Sequence, residues 1–172
     1  MPDSTGKYYG KYRGLVINNI DPLQKGRILV QVPDVLGLSI SSWAMPCMPI
    51  AGPQMGVYVV PSNGAGVWVE FEGGNPDYPI WTGGFWGSAA EVPALALAPS
   101  IPVSPNIVLQ TIGQNTIVVS DVPGTGGIML KSTTGAMILV NDVGITITTG
   151  KGAAIVMAGP TVTINNGALV VN

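Results

Sequence analysis

The side chains that most often perform catalysis are scarce in this sequence. It contains no histidine, so the commonest general base is missing and neither a serine nor a cysteine triad can be assembled. We expect its single cysteine, Cys47, to be a small apolar filler. Two carboxylates, Glu70 and Glu72, lie two residues apart on a predicted strand and therefore share a face. Paired carboxylates hydrolyse glycosides when they flank the scissile bond at a set separation. We expect both to be solvated side chains, and we expect no catalytic residue.

The residue types and their spacing also show no site typical of a metal, a cofactor or a phosphate group. One cysteine and no histidine exclude zinc–cysteine clusters and histidine-bearing metal centres. Asp121 and Asp142 fall at predicted turns, where aspartate bonds to the local backbone, and their spacing does not gather the oxygens that calcium needs. The glycine-rich runs at 64–66 and 124–127 lack the lysine and the following helix of a phosphate loop. We expect neither a metal nor a cofactor.

Residues 1–14 interleave cations with aromatic residues. The set comprises Lys7, Lys11 and Arg13 with Tyr8, Tyr9 and Tyr12. Such a pattern can hold single-stranded nucleic acid by charge and stacking. The net charge of −2 and the pI of about 4.8 suit a phosphate backbone poorly, however. We interpret the segment as an arm that docks on another protein, with a nucleic-acid-binding module as the alternative.

The composition indicates a chain that buries much of its surface against partners. Only 9% of residues are charged, whereas 47% are hydrophobic and the mean hydropathy is +0.43. No apolar run is long enough to span a bilayer, and the N-terminus shows no basic segment followed by an apolar core. We therefore expect synthesis in the cytoplasm without a signal peptide.

Residues 15–86 predict a small closed barrel of about five antiparallel strands. Residues 15–17 and the returning run at 27–33 form a first predicted pair. Residues 57–60 and 67–71 form a predicted second hairpin around a tight Asn-Gly turn. Residues 79–86 complete the set. In the linker that follows, residues 87–105, prolines recur every few residues, which forbids regular helix and favours an extended path.

Residues 106–172 contain short β-branched runs, each closed by Gly, Asn, Asp or Pro. The apolar anchors recur at about ten residues and later at about eight, as in a stacked repeat. Isoleucine or valine alternates with threonine, so that one face is apolar. One such ribbon leaves its edges open and encloses no core. We expect several copies, in particular three, to wind together as an intertwined β-prism; a monomeric β-solenoid or further hairpins of a sandwich are the alternatives.

The expected core of this trimer is the set of apolar anchors on the inner face. They are Ile117, Ile128, Ile138, Ile145, Ile147, Ile155, Val162, Ile164 and Val171.

Several phrases recur in an order typical of one family. YRGLVINNIDPLQKGRILVQVPDV places a strand before Asp-Pro and Gly-Arg, and SWAMPCMPIAGPQMGVYVVPSNGAGVWVEFEGGNPDYPIWTGGFW follows with Trp-Ala, Ala-Gly and Val-x-Val-x-Phe. Together they resemble the OB-fold domain of the phage baseplate assembly protein V and valine-glycine-repeat (Vgr) spike families, over residues 12–86. NTIVVSDVPGTGGIMLKSTTGAMILVND is similar to the repeat of the same family.

The resemblance implies the central spike of a contractile injection machine, as in phage tails, extracellular injection systems and type VI secretion. The expected fold is all-β, with an OB-fold barrel at 15–86 followed by an intertwined trimeric β-helix at 106–172. The expected residence is the baseplate of a virion or a phage-tail-like particle. The linker at 87–105 is too short for the lysozyme domain that some members carry there, so we expect no enzyme.

The resemblance also implies partners at both ends of a homotrimer. A hub protein, expected as a separate chain because few residues precede the barrel, would contact Tyr8, Tyr9, Tyr12 and Arg13. A PAAR-type tip would contact Leu169, Val170, Val171 and Asn172. Inner tube, cargo and, transiently, the target membrane are further expected contacts, whereas nucleic acid is not. A carbohydrate-binding tail fibre stays open as an alternative, because β-prisms occur there too.

Overall fold

The structure, a computed structural model, describes residues 6–98 and 104–171. The chain is all-β apart from short helical turns, which confirms the predicted fold class. It divides into two compact units, Met1–Ala89 and Ala90–Asn172. No helix in the described ranges is long and apolar enough to cross a bilayer.

The first unit is built around a five-stranded sheet. Its elements are β1 (Tyr12–Asn18), β2 (Leu29–Gln31), helix α1 (Pro33–Leu36), β3 (Met45–Pro46), β4 (Ala51–Gly52), β5 (Met55–Gly56), β6 (Gly66–Phe71) and β7 (Pro79–Phe85), with 3-10 turns at Glu72–Gly74 and Ala89–Glu91. The strand order is β2-β1-β6-β7-β3, and β4 and β5 form a separate hairpin.

One strand pair departs from the predicted antiparallel barrel. β3 runs parallel to β7, with Met45 opposite Ile80, whereas the other pairs in the sheet are antiparallel. The chain between β2 and β3 passes through α1 and returns alongside β2, where Ile28 bridges to Ala44. This stretch bridges to β2, at one end of the strand order, and continues into β3, at the other end, so that it closes the sheet into a barrel.

Alternating side chains of β6 and of the run through β2 fill the barrel. Ile28, Val30 and Val32 are fully buried, as the alternation in the sequence predicts, and Val67 and Val69 of β6 face them.

The strand predicted at residues 57–60 is absent. The segment has no ladder partner within the described residues, and Val57, Tyr58 and Val59 are 48%, 69% and 65% exposed. The short β4–β5 hairpin, which the sequence analysis did not predict, precedes it. The β-branched and aromatic composition correctly favours extended backbone, but a strand also needs a neighbour. The described part of this chain supplies none.

The second unit is an antiparallel meander. Helix α2 (Ala94–Leu97) precedes β8 (Ile107–Gln110), β9 (Thr116–Ser120), β10 (Gly127–Lys131), β11 (Met137–Asn141), β12 (Gly144–Thr148), β13 (Ala154–Ala158), β14 (Thr161–Ile164) and β15 (Leu169–Val171). Each strand pairs with the next along the chain. Strands β9 to β14 thus pair on both sides with strands of their own chain. Among the described strands of this sheet, only β8 and β15 have a free edge that could pair with a strand of another copy.

Helix α2 contradicts the expectation that the proline-rich segment contains no helix. Pro93 precedes its first residue, where proline is tolerated because the first helical N–H groups have no helical partner, and the next four residues contain no proline. Asn106 Nδ2 donates to the carbonyl of Leu95, 3.0 Å away, and so attaches α2 to the start of the meander.

Candidate interaction surface

One face of the eight-stranded sheet is apolar from the first strand to the last. Directly opposed residues of an antiparallel pair lie on the same face, so the register defines two continuous columns across the sheet. One column contains Ile107, Val119, Ile128, Val140, Ile145, Met157, Val162 and Val171. The other contains Leu109, Ile117, Leu130, Ile138, Ile147, Ile155, Ile164 and Leu169. We call these sixteen positions the apolar ladder face.

The apolar ladder face is uncovered within a single chain. Exposure is 66% for Ile107 and Leu109 at one edge and 40% and 39% for Ile138 and Ile147 in the middle strands. The neighbouring side chains on the same face account for the partial burial. A contiguous apolar surface that crosses a whole sheet marks an interface rather than a solvated surface.

The opposite face mixes polar with apolar side chains, among them Val118, Met129 and Leu139, and is partly covered by the same chain. Thr146, Thr148 and Thr163 lie there, and so does Lys131. Residues 90–95 border a cavity of about 480 Å³ together with Gln110, Thr116 and Lys131 of this face. The chain thus covers part of this mixed face and leaves the apolar ladder face open.

Hydrogen bonds between successive turns connect the hairpins along both sides of the sheet. On one side, Asn115 Oδ1 accepts from the Thr133 amide at 3.2 Å. Asn165 Oδ1 accepts from the Ala154 amide at 3.1 Å on that side too. On the other side, Asp142 Oδ2 accepts from the Gly124 amide at 3.3 Å. These bonds support the register that the columns require.

The structure brings the predicted trimer-core residues together. Eight described side chains and the backbone of the ninth occupy the apolar ladder face: Ile117, Ile128, Ile138, Ile145, Ile147, Ile155, Val162, Ile164 and Val171. The predicted tip-docking residues Leu169, Val170 and Val171 form β15 at the outer edge of the sheet. Asn172, the fourth, lies outside the described residues.

The predicted hub-docking residues divide into two groups. Tyr8 and Tyr12 pack on the first unit, with ring centroids 6.2 Å and 5.7 Å from that of Phe71. Tyr9 is 62% exposed, and Arg13 is exposed with its guanidinium 5.2 Å from the ring centroid of Trp68. Tyr8 and Tyr12 are half-buried, so the second group presents the larger free surface to a partner.

The cations of the arm bind their own barrel. Lys7 Nζ donates to the carbonyl of Gly73 at 2.9 Å, and Lys11 Nζ pairs with Glu70 at 2.7 Å. Both lysines thus have a partner within their own chain, and both side chains remain exposed to solvent. The sequence predicted Glu70 and Glu72 on one strand, and this prediction is wrong. β6 ends at Phe71, and Glu72 begins a 3-10 turn.

The sequence analysis missed an ion pair that organises the loop after β1. Asp21 accepts backbone hydrogen bonds from Leu23 and Lys25 and pairs with Arg27, whose Nη2 lies 2.6 Å from Oδ1. The Asp21 carboxylate is almost inaccessible to solvent. The hydrogen bond from Arg27 holds the pKa of Asp21 well below its usual range, and the carboxylate in turn raises the pKa of Arg27. The Asp-Pro and Gly-Arg phrases were the available signal.

The described part of the chain holds no group of three or more residues suited to bind a metal. Residues 12–86 match the model of the type VI secretion system/phage-baseplate injector OB domain. Residues 106–170 match that of the phage baseplate V C-terminal trimerisation domain. No significant match was found among curated proteins. Both matches describe structural baseplate domains, and their order along the chain is that of the two units. The chain is a structural, spike-like baseplate protein in which an injector OB domain precedes a trimerisation domain.

Proposed function

We propose that three copies of this chain form the central spike of a contractile injection machine, which links a hub to a tip and punctures the target cell envelope. The observation that carries this proposal is the apolar ladder face. Three such faces turned toward a common axis cover one another and leave the opposite, mixed faces outside. The match to a trimerisation domain over the same residues supports the number of copies.

The register determines how this core is filled. Each strand from β8 to β14 contributes two apolar side chains to the axis, one from each column, and β15 contributes Leu169. Adjacent strands lie about 4.8 Å apart, so the eight levels extend roughly 35 Å along the axis. No charged residue interrupts them, and the axis therefore remains dry over its whole length.

This arrangement suits a mechanical role. Force along the axis loads many backbone hydrogen bonds together, because the strands cross the axis and pair with their neighbours level by level. The narrow core concentrates the force of the contracting sheath on a small area of membrane. The proposed role requires no catalytic group.

The two ends provide the proposed attachments. At the first unit, Tyr9 and Arg13 form the most exposed part of the predicted hub surface. At the other end, β15 lacks an outer neighbour within the described residues, so its backbone can pair with a PAAR-type tip protein. Sharing of strands between copies is confined to β8 and β15.

Light scattering on the purified chain tests the assembly. We expect three times the chain mass of 17.7 kDa, because the apolar ladder face is covered only in an oligomer. A stable, soluble species of 17.7 kDa would refute the proposal. In intact particles, antibodies against a C-terminal tag should label the distal end of the baseplate, and label along the sheath would contradict the assignment as a spike.

A further inference from the structure

The first unit also has a region without charge. Residues 35–69 contain no Asp, Glu, Lys or Arg, and the remaining charges of the unit precede or follow this range. Part of the range forms the barrel core, but part is exposed. Ile50, Met55, Val57, Tyr58 and Val59 are 48–69% exposed, and we call these five residues the hairpin patch.

A groove runs along the hairpin patch. It has a volume of about 380 Å³, and Met48, Ile50, Met55 and Tyr58 are among its lining residues. Of the described residues that line it, Lys25 is the one that carries a charge. Methionine side chains adapt their shape to a partner, which suits such a groove to protein contact.

The hairpin patch includes an extended segment that lacks a neighbour. Residues 57–60 have the composition of a strand but no ladder partner in the part of the chain that the structure describes. The amide of Val57 donates to the carbonyl of Ile50. Tyr58 and Val59 are exposed, and Val60 packs against the barrel core. Extended backbone of this kind accepts an additional strand from another chain.

The three-fold symmetry of the proposed trimer indicates which chain contacts the hairpin patch. Near a three-fold axis every residue approaches its own copies, so a charge there meets two like charges at close range. The five residues of the hairpin patch carry no charge and meet no such repulsion, and the one lysine of the groove, Lys25, lies outside the patch. The trimerisation domain holds three barrels on one assembly and raises their effective concentration, so that even a weak contact between barrels forms.

We propose that the hairpin patch is the contact between barrels, occupied by the first units of the two other copies of the chain. The groove and residues 57–60 then receive apolar, extended surface from the adjacent barrel. This inference rests on the proposed trimer, and it adds a second interface that is distinct from the apolar ladder face.

Site-specific photocrosslinking of the full-length protein tests the inference. A photoreactive phenylalanine analogue replaces Tyr58 in one variant and Tyr78 in the control. Tyr78 is similarly exposed, at 61%, but it lies in the turn that holds Asp77. On irradiation of dilute purified protein, the Tyr58 variant should yield covalently joined copies on a denaturing gel, and the Tyr78 control should not. Equal adducts from both variants would overturn the inference.

Light scattering on the same samples separates the two proposals. A trimer that forms no adduct through position 58 overturns the contact between barrels and leaves the spike proposal intact. A single copy in solution overturns both. Adducts that form only in intact particles, with a different protein, would assign the hairpin patch to that protein instead of a second copy.

Hydrogen exchange provides a second readout that needs no substitution. The backbone amides of this segment are best followed on one peptide that covers residues 57–60. In the trimer this peptide should exchange roughly tenfold or more slowly than the same sequence does in an unfolded chain, because strand addition protects its amides. Exchange at the unfolded-chain rate would contradict the proposal.

Discussion

Replacement of Ile147 by aspartate tests the core of the proposed trimer. Ile147 lies in the middle of its column, directly opposite Ile138 and Ile155, and is 39% exposed in the single chain. Full burial of an isoleucine is worth about 1.5–3 kcal/mol, so covering the remaining two-fifths contributes about 1 kcal/mol per copy. The Ile147→Asp variant loses this contribution and places a carboxylate in the dry core.

The carboxylate costs more than the lost contact. Burial that raises the pKa of a carboxyl group by about three units corresponds to about 4 kcal/mol at neutral pH. With three copies at one level, the total penalty is on the order of 15 kcal/mol. We therefore expect Ile147→Asp to abolish the trimer at pH 7, as measured by light scattering.

Two matched variants isolate the cause. Thr146→Asp introduces the same group one residue away on the opposite face, and it should leave the trimer intact. Ile147→Asn introduces polarity without charge. For Ile147→Asp, association should recover in part as the pH falls toward about 4, where the carboxyl group protonates in the separated chain, whereas Ile147→Asn should show no such recovery. A trimeric Ile147→Asp variant at pH 7, or equal dissociation of Thr146→Asp, would refute the assignment of the faces.

Three further predictions concern the barrel, the corners of the meander and the absence of catalysis. Asp21→Asn should lower the melting temperature by several degrees at pH 7. The stabilisation that comes from the depressed pKa of Asp21 is present above pH 3.8, the ordinary pKa of the group, and is lost at lower pH. The difference in melting temperature between variant and parent should therefore shrink below pH 3.8. Gly144→Ala should destabilise the tail by about 3 kcal/mol or more in thermal unfolding, because its Cβ would collide with the Met157 carbonyl at a φ of +148°, whereas Gly124→Ala, with open space, should cost about 1 kcal/mol. Purified protein should not clear a peptidoglycan suspension, and clearing would disprove the structural assignment.

The apolar ladder face could be predicted from the sequence because it depends on a local rule. Side chains alternate between the two faces of a strand, so the run at 144–148 places Ile145 and Ile147 on one side whatever the neighbours are. The turns between the strands are short, and therefore the register follows from the same runs. Each prediction here involves residues close together in the chain.

The features that escaped prediction depend on contacts between separate segments. The parallel pairing of β3 with β7 follows from the path through α1, which no local pattern records. Residues 57–60 have strand composition, but whether a neighbour exists is a property of the whole barrel. The pair of Asp21 with Arg27 requires the loop to fold back over six residues. Composition favours a conformation but does not supply its partner.

The strands of the second unit pair in the order in which they follow along the chain, and this order determines how such a structure can become longer or shorter. Every strand pairs only with the strand before it and the strand after it. Two consecutive strands, together with their turns, therefore form a self-contained module. Insertion or deletion of a whole module keeps the chain direction and leaves both apolar columns aligned. Each such step alters the length by roughly 10 Å. A single-strand insertion, by contrast, reverses the direction of the chain that follows it.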